Sequence, residues 1–468
     1  MSIPAFSKDK LCFVLNTIAE LPSRYKDAVC EKGYVLLSGK TMQKWIGRDY
    51  KRYIDMLIKA GIIESDGSYI VGSKPMGYRF CEAYKVECKR VLVTDSGLIS
   101  KMNSHNWYED DKEDIEDDKS ADSYPQYSSA IKCYNSGLIK IDYKLANLYN
   151  ETVYAYKKRN RDLWDSEIVA GGVRYKNPYT QYLASQISID KIHRGRFNPS
   201  YDTNVYRLHS VITQCKREIR NAITIDGKLV AAVDISNCQP TLLTILMNPE
   251  FWDEKNIFNY TQISYLGIKN MFNTHKHYTR FIMMCKNAEH NSNMKAEVER
   301  FNKLVESGTF YNNFRSLLER KLGLKRLSTQ DVKTMFFTVL FTSNRFIHQK
   351  EAACKRVFRE WFPQIYELTR MLKVKDHANL PILLQRLESY LLFNRVIPSI
   401  NAKAPNLSFI PIHDSIAVPV GHEKLVQDIM TKELSLCLGF KPHLKVELWE
   451  PENLERIINE FKCNNMAA

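Results

Sequence analysis

Two aspartates, Asp234 and Asp414, each close a short apolar run. They lie in Val233-Asp234-Ile235-Ser236-Asn237-Cys238-Gln239-Pro240 and Phe409-Ile410-Pro411-Ile412-His413-Asp414-Ser415-Ile416. A buried strand opening into a polar cleft has this pattern. Two carboxylates brought together repel unless cations lie between them. Paired divalent ions on such oxygen ligands activate a hydroxyl and grip a polyphosphate. The chemistry to expect is metal-assisted nucleotidyl transfer with two Mg2+ ions held by Asp234 and Asp414, Mn2+ being an alternative. The same ions can activate water, so a metal-dependent nuclease is a second chemistry. A single aspartate at a strand end is commonly a cap or turn former; the matched second motif is what adds weight.

Several elements must position these groups. Leu229 to Val233 reads as a buried strand, and Pro240 with Thr241-Leu242-Leu243-Thr244-Ile245-Leu246 as a turn into a packed helix. Ser408 to Pro411 and Ile416 to Val420 read as a hairpin with His413 and Asp414 at its tip. His413 there orients a reacting terminus or Asp414, or satisfies a local backbone group. Leu444 to Leu448 reads as a closing strand. Lys333, Phe337 and Phe341, four residues apart, share one helical face. Its basic end suits phosphate and its apolar remainder a stacked nucleotide, although an amphipathic core helix has the same pattern. Gln385, Arg386 and Glu388 form the polar side of a helix whose Leu383, Leu384, Leu387 and Leu391 face the core.

The 468 residues suffice for one large core and a smaller one. Hydrophobic content of 44% against 26% charged is globular, and a net charge of +14 favours a polyanionic partner. The opening MSIPAFSKDK lacks a secretory pattern, and no apolar run approaches membrane-spanning length. A cytoplasmic location is expected, or host cytoplasm for a phage-encoded chain, with no membrane partner. Eleven cysteines without paired zinc-finger spacing read as reduced thiols.

Residues 1–105 read as a compact basic module of helix, turn, helix and hairpin, which resembles a winged helix. A short helix capped by Ser38 runs through Trp45 and Ile46. A second spans Asp49 to Ala60, with Tyr53, Ile54, Leu57 and Ile58 apolar, and Gly61 stops it. A hairpin of Ile62–Glu64 with Ser68–Val71 about Asp66-Gly67 follows, then a turn at Pro75-Met76-Gly77 and a strand from Tyr78 to Phe80. Such a module contacts DNA or replication proteins, or serves only as packing. Residues 106–130, acidic then polar, read as a linker. Residues 131–225 read as largely helical. Tyr154, Tyr156, Lys157, Lys158, Arg159 and Arg161 either line a backbone-binding surface or form a solvated helix with inward tyrosines.

Taken together, these motifs resemble family A DNA polymerases and the related single-subunit, phage-type RNA polymerases. Asp234-Ile235-Ser236 is similar to their first palm motif and His413-Asp414-Ser415 to their third, the serine being closer to the RNA polymerases. The resemblance implies an α+β right-hand polymerase with palm, fingers and a helical thumb-like region, plus the N-terminal winged-helix-like module. Residues 131–225 would form the thumb-like and palm-entry region and 226–250 the palm with the first motif. Residues 251–400 would form fingers and palm helices, and 401–468 the third motif and C-terminal strand.

It also implies roles. Lys333 would take the incoming triphosphate, Phe337 and Phe341 its base and sugar, and Gln385 the primer–template, while Glu388 would orient a neighbouring base or arginine. Arg196 in Gly195-Arg196-Phe197 and Arg220 after Ile219 would contact the template–primer backbone or brace carboxylates. The family's arginine four residues before the lysine is Thr329 here, with Arg326 or Lys325 as stand-ins. Gln239 occupies the position that screens the ribose 2′-hydroxyl. The expected partners are a DNA template or primer-template, an RNA primer or product, and nucleoside triphosphates. DNA synthesis in a phage or mobile element is slightly preferred over a primase or RNA polymerase. A non-catalytic DNA-binding initiator is a further alternative.

Overall fold

The computed structural model describes residues 6–24, 28–30, 32–70, 74–86, 88–89, 91–104, 125–169, 172–252, 266–287 and 290–466. They form a helix-rich α+β architecture with one large apolar core and a smaller one at the N-terminus.

The smaller core belongs to a module in the order α1 (Lys8–Arg24), β1 (Val35–Leu37), α2 (Gly39–Ile46), α3 (Tyr50–Lys59), β2 (Ile63–Ser65) and β3 (Met76–Phe80). The strands make an antiparallel sheet in the order β1-β3-β2. Ser38 caps α2 by accepting a hydrogen bond from Thr41 N at 3.4 Å. Gly61 ends α3 with φ of 67°, a conformation that favours glycine. Tyr53, Ile54 and Leu57 are buried as expected, but Ile58 points outward.

The hairpin differs from the sequence expectation. Ile63 pairs with Phe80 and Ser65 with Tyr78, so β2 joins Met76–Phe80 rather than Ser68–Val71. Asp66 supplies the reason: its carboxylate accepts from Ser68 N at 3.1 Å, Gly77 N at 3.0 Å and Lys74 Nζ at 2.9 Å. That brace ties the loop base to Gly77 and makes Met76 and Gly77 strand rather than turn. A Cβ on Gly77 would lie 2.8 Å from Asp66 Oδ2 and 2.9 Å from Tyr34 Cβ, so the approach needs glycine.

The acidic run Glu109 to Asp118 lies outside the described residues. The end of the expected linker does not: α4 (Pro125–Asn135) is a helix, with Tyr127 and Ala130 fully buried. Tyr127 lies 4.7 Å from Tyr201 and 4.5 Å from Phe393, centroid to centroid. Inward aromatic packing overrides the polar composition there. In α5 (Tyr143–Arg159), Tyr154 stacks on Tyr182 of α6 (Pro178–His193) at 4.8 Å, and Tyr156 meets Phe461 at 4.7 Å. These tyrosines are packing groups. An ion pair between Glu20 and Lys191 joins the N-terminal module to α6.

The central sheet comprises β4 (Val230–Ile235), β5 (Ile410–Ile412), β6 (Ser415–Pro419) and β7 (Leu444–Trp449), antiparallel in the order β5-β6-β4-β7. Val230 to Val233 are buried in succession, as befits a central strand covered on both faces. Helix α7 (Cys238–Met247) follows β4, with Leu242, Leu243, Ile245, Leu246 and Met247 entirely enclosed. Truncating one such leucine to alanine would cost about 2–5 kcal/mol, so the strand–turn–helix around Asp234 is a rigid platform. Beyond it stand α8 (Thr329–Phe341), α9 (Asn379–Tyr390) and α10 (Glu423–Leu438).

Candidate active site

Pairing register brings the two aspartates together. Asp234 lies opposite Ser415, the residue after Asp414, and Ile235 N donates to Asp414 O at 3.4 Å. His413 and Asp414 form the two-residue tip between β5 and β6, with His413 at φ of 55°. Ser415 Oγ donates to Ile412 O at 2.9 Å and closes that tip. This serine therefore braces the turn.

Both carboxyls are held well above the ordinary aspartate range. For Asp234 the main cause is burial, followed by the neighbouring Asp414 charge; Lys333 opposes the shift. For Asp414 burial again leads, followed by Glu388, with Arg207 opposing. Each is a carboxylate in want of positive charge, the condition a bound cation relieves.

Glu388, expected either to orient a neighbouring base or arginine or to lie on a polar helix side, is carried inward by α9 until it is 3% exposed. Arg207 grips it with Nε–Oε1 at 2.9 Å and NH2 to Oε1 and Oε2 at 2.6 and 2.8 Å. The Cys238 thiol points at Glu388 Oε2 across 3.9 Å, and burial beside these acids holds the thiol protonated. On the other flank, Glu447 of β7 lies across from Ala232, on the Asp234 face of β4, and pairs with Arg217. Arg207, Cys238, Arg217 and Glu447 escaped the sequence reading. Their ion pairs join residues 181 and 230 positions apart, which no local pattern reveals.

The basic and aromatic stripe is present on α8. Lys333 Nζ lies 5.8 Å from the centroid of the Tyr311 ring, close enough to Asp234 to favour its ionised form. Phe337 and Phe341 stack at 5.3 Å and are half-buried against the core. Ser328 and Asp331 cap the start of α8 reciprocally. At Thr329, where the expected arginine is missing, Arg315 from the helix Phe310–Leu322 donates to Oγ1 at 2.7 Å. Arg315 Nε is buried without a hydrogen-bond partner among the described residues. A guanidinium thus reaches the first turn of α8 from a neighbouring helix, where sequence spacing offered only Arg326 or Lys325. Arg326 itself is exposed at φ of 58°.

The remaining expected residues divide. Gln239 is in the first turn of α7, its side-chain oxygen buried and unbonded among the described residues, as is the amide nitrogen of Asn237. Buried polar atoms of this kind call for a partner, and here they flank Asp234. Gln385 is half-buried one turn before Glu388. Arg220 is engaged by backbone carbonyls, donating to Ile212 O at 3.2 Å and Thr213 O at 3.1 Å, so it is a local brace. Arg196 is exposed in the loop after α6. His413 faces His209, centroids 6.4 Å apart.

The donor set fits hard divalent cations: two carboxylate oxygens from Asp234 and Asp414, no thiolate, and Glu388 already committed to Arg207.

No family model and no curated protein matches this chain. Among solved structures the chain is similar to the POL domain of Pol1 from M. smegmatis, a complex with DNA primer-template and dNTP. That similarity covers 71% of this chain and 70% of that chain at 10% identity and a TM-score of 0.33. Likeness at this level carries no functional argument. No helix of the described residues is long and apolar enough to cross a membrane.

Proposed function

We propose that this chain is a template-dependent nucleic-acid polymerase that extends a primer by nucleotidyl transfer. The observation that carries the reading is the meeting of Asp234, near the end of β4, with Asp414, at the tip of the adjacent hairpin, with Lys333 of α8 in electrostatic reach. A primer 3′-hydroxyl attacks the α-phosphorus of a nucleoside triphosphate and gives up its proton to solvent water, while the bond from the α-phosphorus to the bridging oxygen breaks and pyrophosphate departs. Two Mg2+ ions on Asp234 and Asp414 would favour the alkoxide and neutralise the leaving pyrophosphate.

The chain's own residues do the positioning. Lys333 binds the polyphosphate, joined by Arg315 at the head of α8. Phe337 and Phe341 offer an apolar face to base and sugar. The Ile235–Asp414 and Ser415–Ile412 hydrogen bonds fix the hairpin tip, and the Arg207–Glu388 pair forms a buried floor behind Asp414. Preorganised groups of this kind lower the barrier because little rearranges during reaction.

Gln239 favours deoxynucleotides, since its amide retains bulk beside Asp234. The serine of His-Asp-Ser is the feature that favours RNA synthesis, although its hydroxyl donates to Ile412 O inside the turn. The test supplies dNTPs or NTPs with primed and unprimed DNA and RNA in parallel. Extension of a primed template supports the reading and identifies the sugar. Template degradation without incorporation would establish the nuclease instead, and binding without either reaction the initiator.

A further inference from the structure

The N-terminal module has its own core, and one of its faces has no role in the palm chemistry. Tyr53, Ile54 and Leu57 turn one side of α3 into that core, leaving Lys51, Arg52, Asp55, Met56, Ile58 and Lys59 outward. Arg48 is exposed in the turn before α3, beside Asp49. Arg48, Lys51 and Lys59 make no ion pair with any described residue, and Arg52 lies only over the Phe6 ring at 5.9 Å. Four cations thus face two carboxylates on this surface.

The scaffold holds this face rigidly. Trp45 and Ile46 of α2 are buried beside α3, and β3 closes the sheet behind. In the same module Tyr69 is 61% exposed, and Asp66 accepts a hydrogen bond from Gly77 N. A ten-residue helix is about 15 Å long, and a B-form major groove is about 12 Å wide and admits one. Protein-docking faces are depleted in lysine and rich in buried aromatics, whereas this one is dominated by solvated cations. Polyanion binding suits it better.

We infer that the outer face of α3 is a duplex-DNA binding site, distinct from the Asp234–Asp414 cleft, with Arg48, Lys51, Arg52 and Lys59 on backbone phosphates. This site would keep the chain on double-stranded DNA independently of a primer end. It stands on the module alone and does not need the polymerase reading to hold.

The probe is a short, covalently closed DNA duplex without ends, with no nucleotides or divalent cations present, so a primer-terminus site has nothing to engage. Fluorescence anisotropy of the full chain is followed across a salt series. The Lys51→Ala/Arg52→Ala/Lys59→Ala variant is expected to bind at least tenfold more weakly at low salt. Its log–log salt slope should shrink by about 2–3, since each lost phosphate contact removes about 0.9. Asp55→Lys, which removes an acid from the same face, is expected to tighten binding, a gain that misfolding cannot mimic. Unchanged affinity and slope in both variants would overturn the inference. So would a protein-like response, in which Met56→Ala/Ile58→Ala abolishes binding and the charge variants do not.

Discussion

At the scale of residues, the proposed chemistry rests on two carboxyls whose pKa values are raised by burial first, then by the Asp414 charge for Asp234 and the Glu388 charge for Asp414. Their raised pKa values have a definite sign for stability. Between the ordinary aspartate value near 4 and the raised folded values, the native chain binds more protons than the unfolded chain. Without divalent ions, stability should therefore fall as pH rises through that window, and Asp414→Asn should flatten the fall. Mg2+ held by the ionised pair, as proposed, should raise the melting temperature more at pH 8 than at pH 5. At a hundredfold excess over Kd the gain is about 2.7 kcal/mol. Thermal melts with EDTA and with Mg2+ read this directly, and equal Mg2+ effects at both pH values would count against a cation site. Sugar choice is a second residue-scale matter. Gln239→Gly should raise ribonucleotide use relative to deoxynucleotide on the order of tenfold, the usual weight of one pocket contact, measured as the ratio of kcat/KM values.

At the scale of elements, α8 is fixed at both ends. Ser328 and Asp331 cap its start, while two buried lysines hold its C-terminal carbonyls. Lys355 Nζ donates to Thr342 O at 3.0 Å and Ser343 O at 2.7 Å, and Lys373 Nζ to Val339 O at 2.7 Å. Positive charge at a helix C-terminus complements its dipole, but burial pushes the two amines down to about 8 and about 7. Between those values and the unfolded value near 10.4, the unfolded chain binds more protons, so stability rises with pH there. Lys373→Met should remove part of that rise and leave Val339 O unsatisfied, costing about 1–3 kcal/mol. Denaturant melts between pH 7 and 10 check both parts, and a variant that keeps the full slope would exclude Lys373 as its source.

Local chemistry decided which elements were legible in sequence. The Ser38 cap, the Gly61 stop, the strand before Asp234 and the tip at His413-Asp414 each use residues that act on their own neighbours. The Lys333, Phe337 and Phe341 stripe was readable because four-residue spacing is itself geometry. The β2 partner was misread because Ser68–Val71 and Met76–Phe80 are equally strand-like, and only the Asp66 brace on Gly77 chooses between them. Helix α4 was hidden by serines and glutamine around Tyr127 and Ala130, whose burial depends on distant Tyr201 and Phe393. An arginine beside Glu388 was one expectation, but its identity was hidden because Arg207 reaches it from another part of the chain.

At the scale of the whole molecule, the large core and the N-terminal core are joined by a third, small cluster of Ala19, Tyr179, Tyr182 and Leu183. The large core carries the four-stranded sheet, the paired aspartates and α8; the N-terminal core presents a basic helix. The net charge of +14 suits both, since each would face phosphates. Two separable activities follow. Asp234→Asn should leave binding of an end-less duplex intact, while changes on α3 should leave extension of a short primed template intact at saturating template. Loss of both functions by either change would argue for a single shared surface.

The most direct measurement is incorporation of a labelled nucleotide on a primed template by the native chain, Asp234→Asn and Asp414→Asn, with circular dichroism confirming that all three fold. Primer extension by the native chain, reduced at least a thousandfold in each variant, about 4 kcal/mol of barrier, is the expected result. Undiminished incorporation by either variant would contradict the account, as would a native chain that cuts the template and adds nothing to the primer.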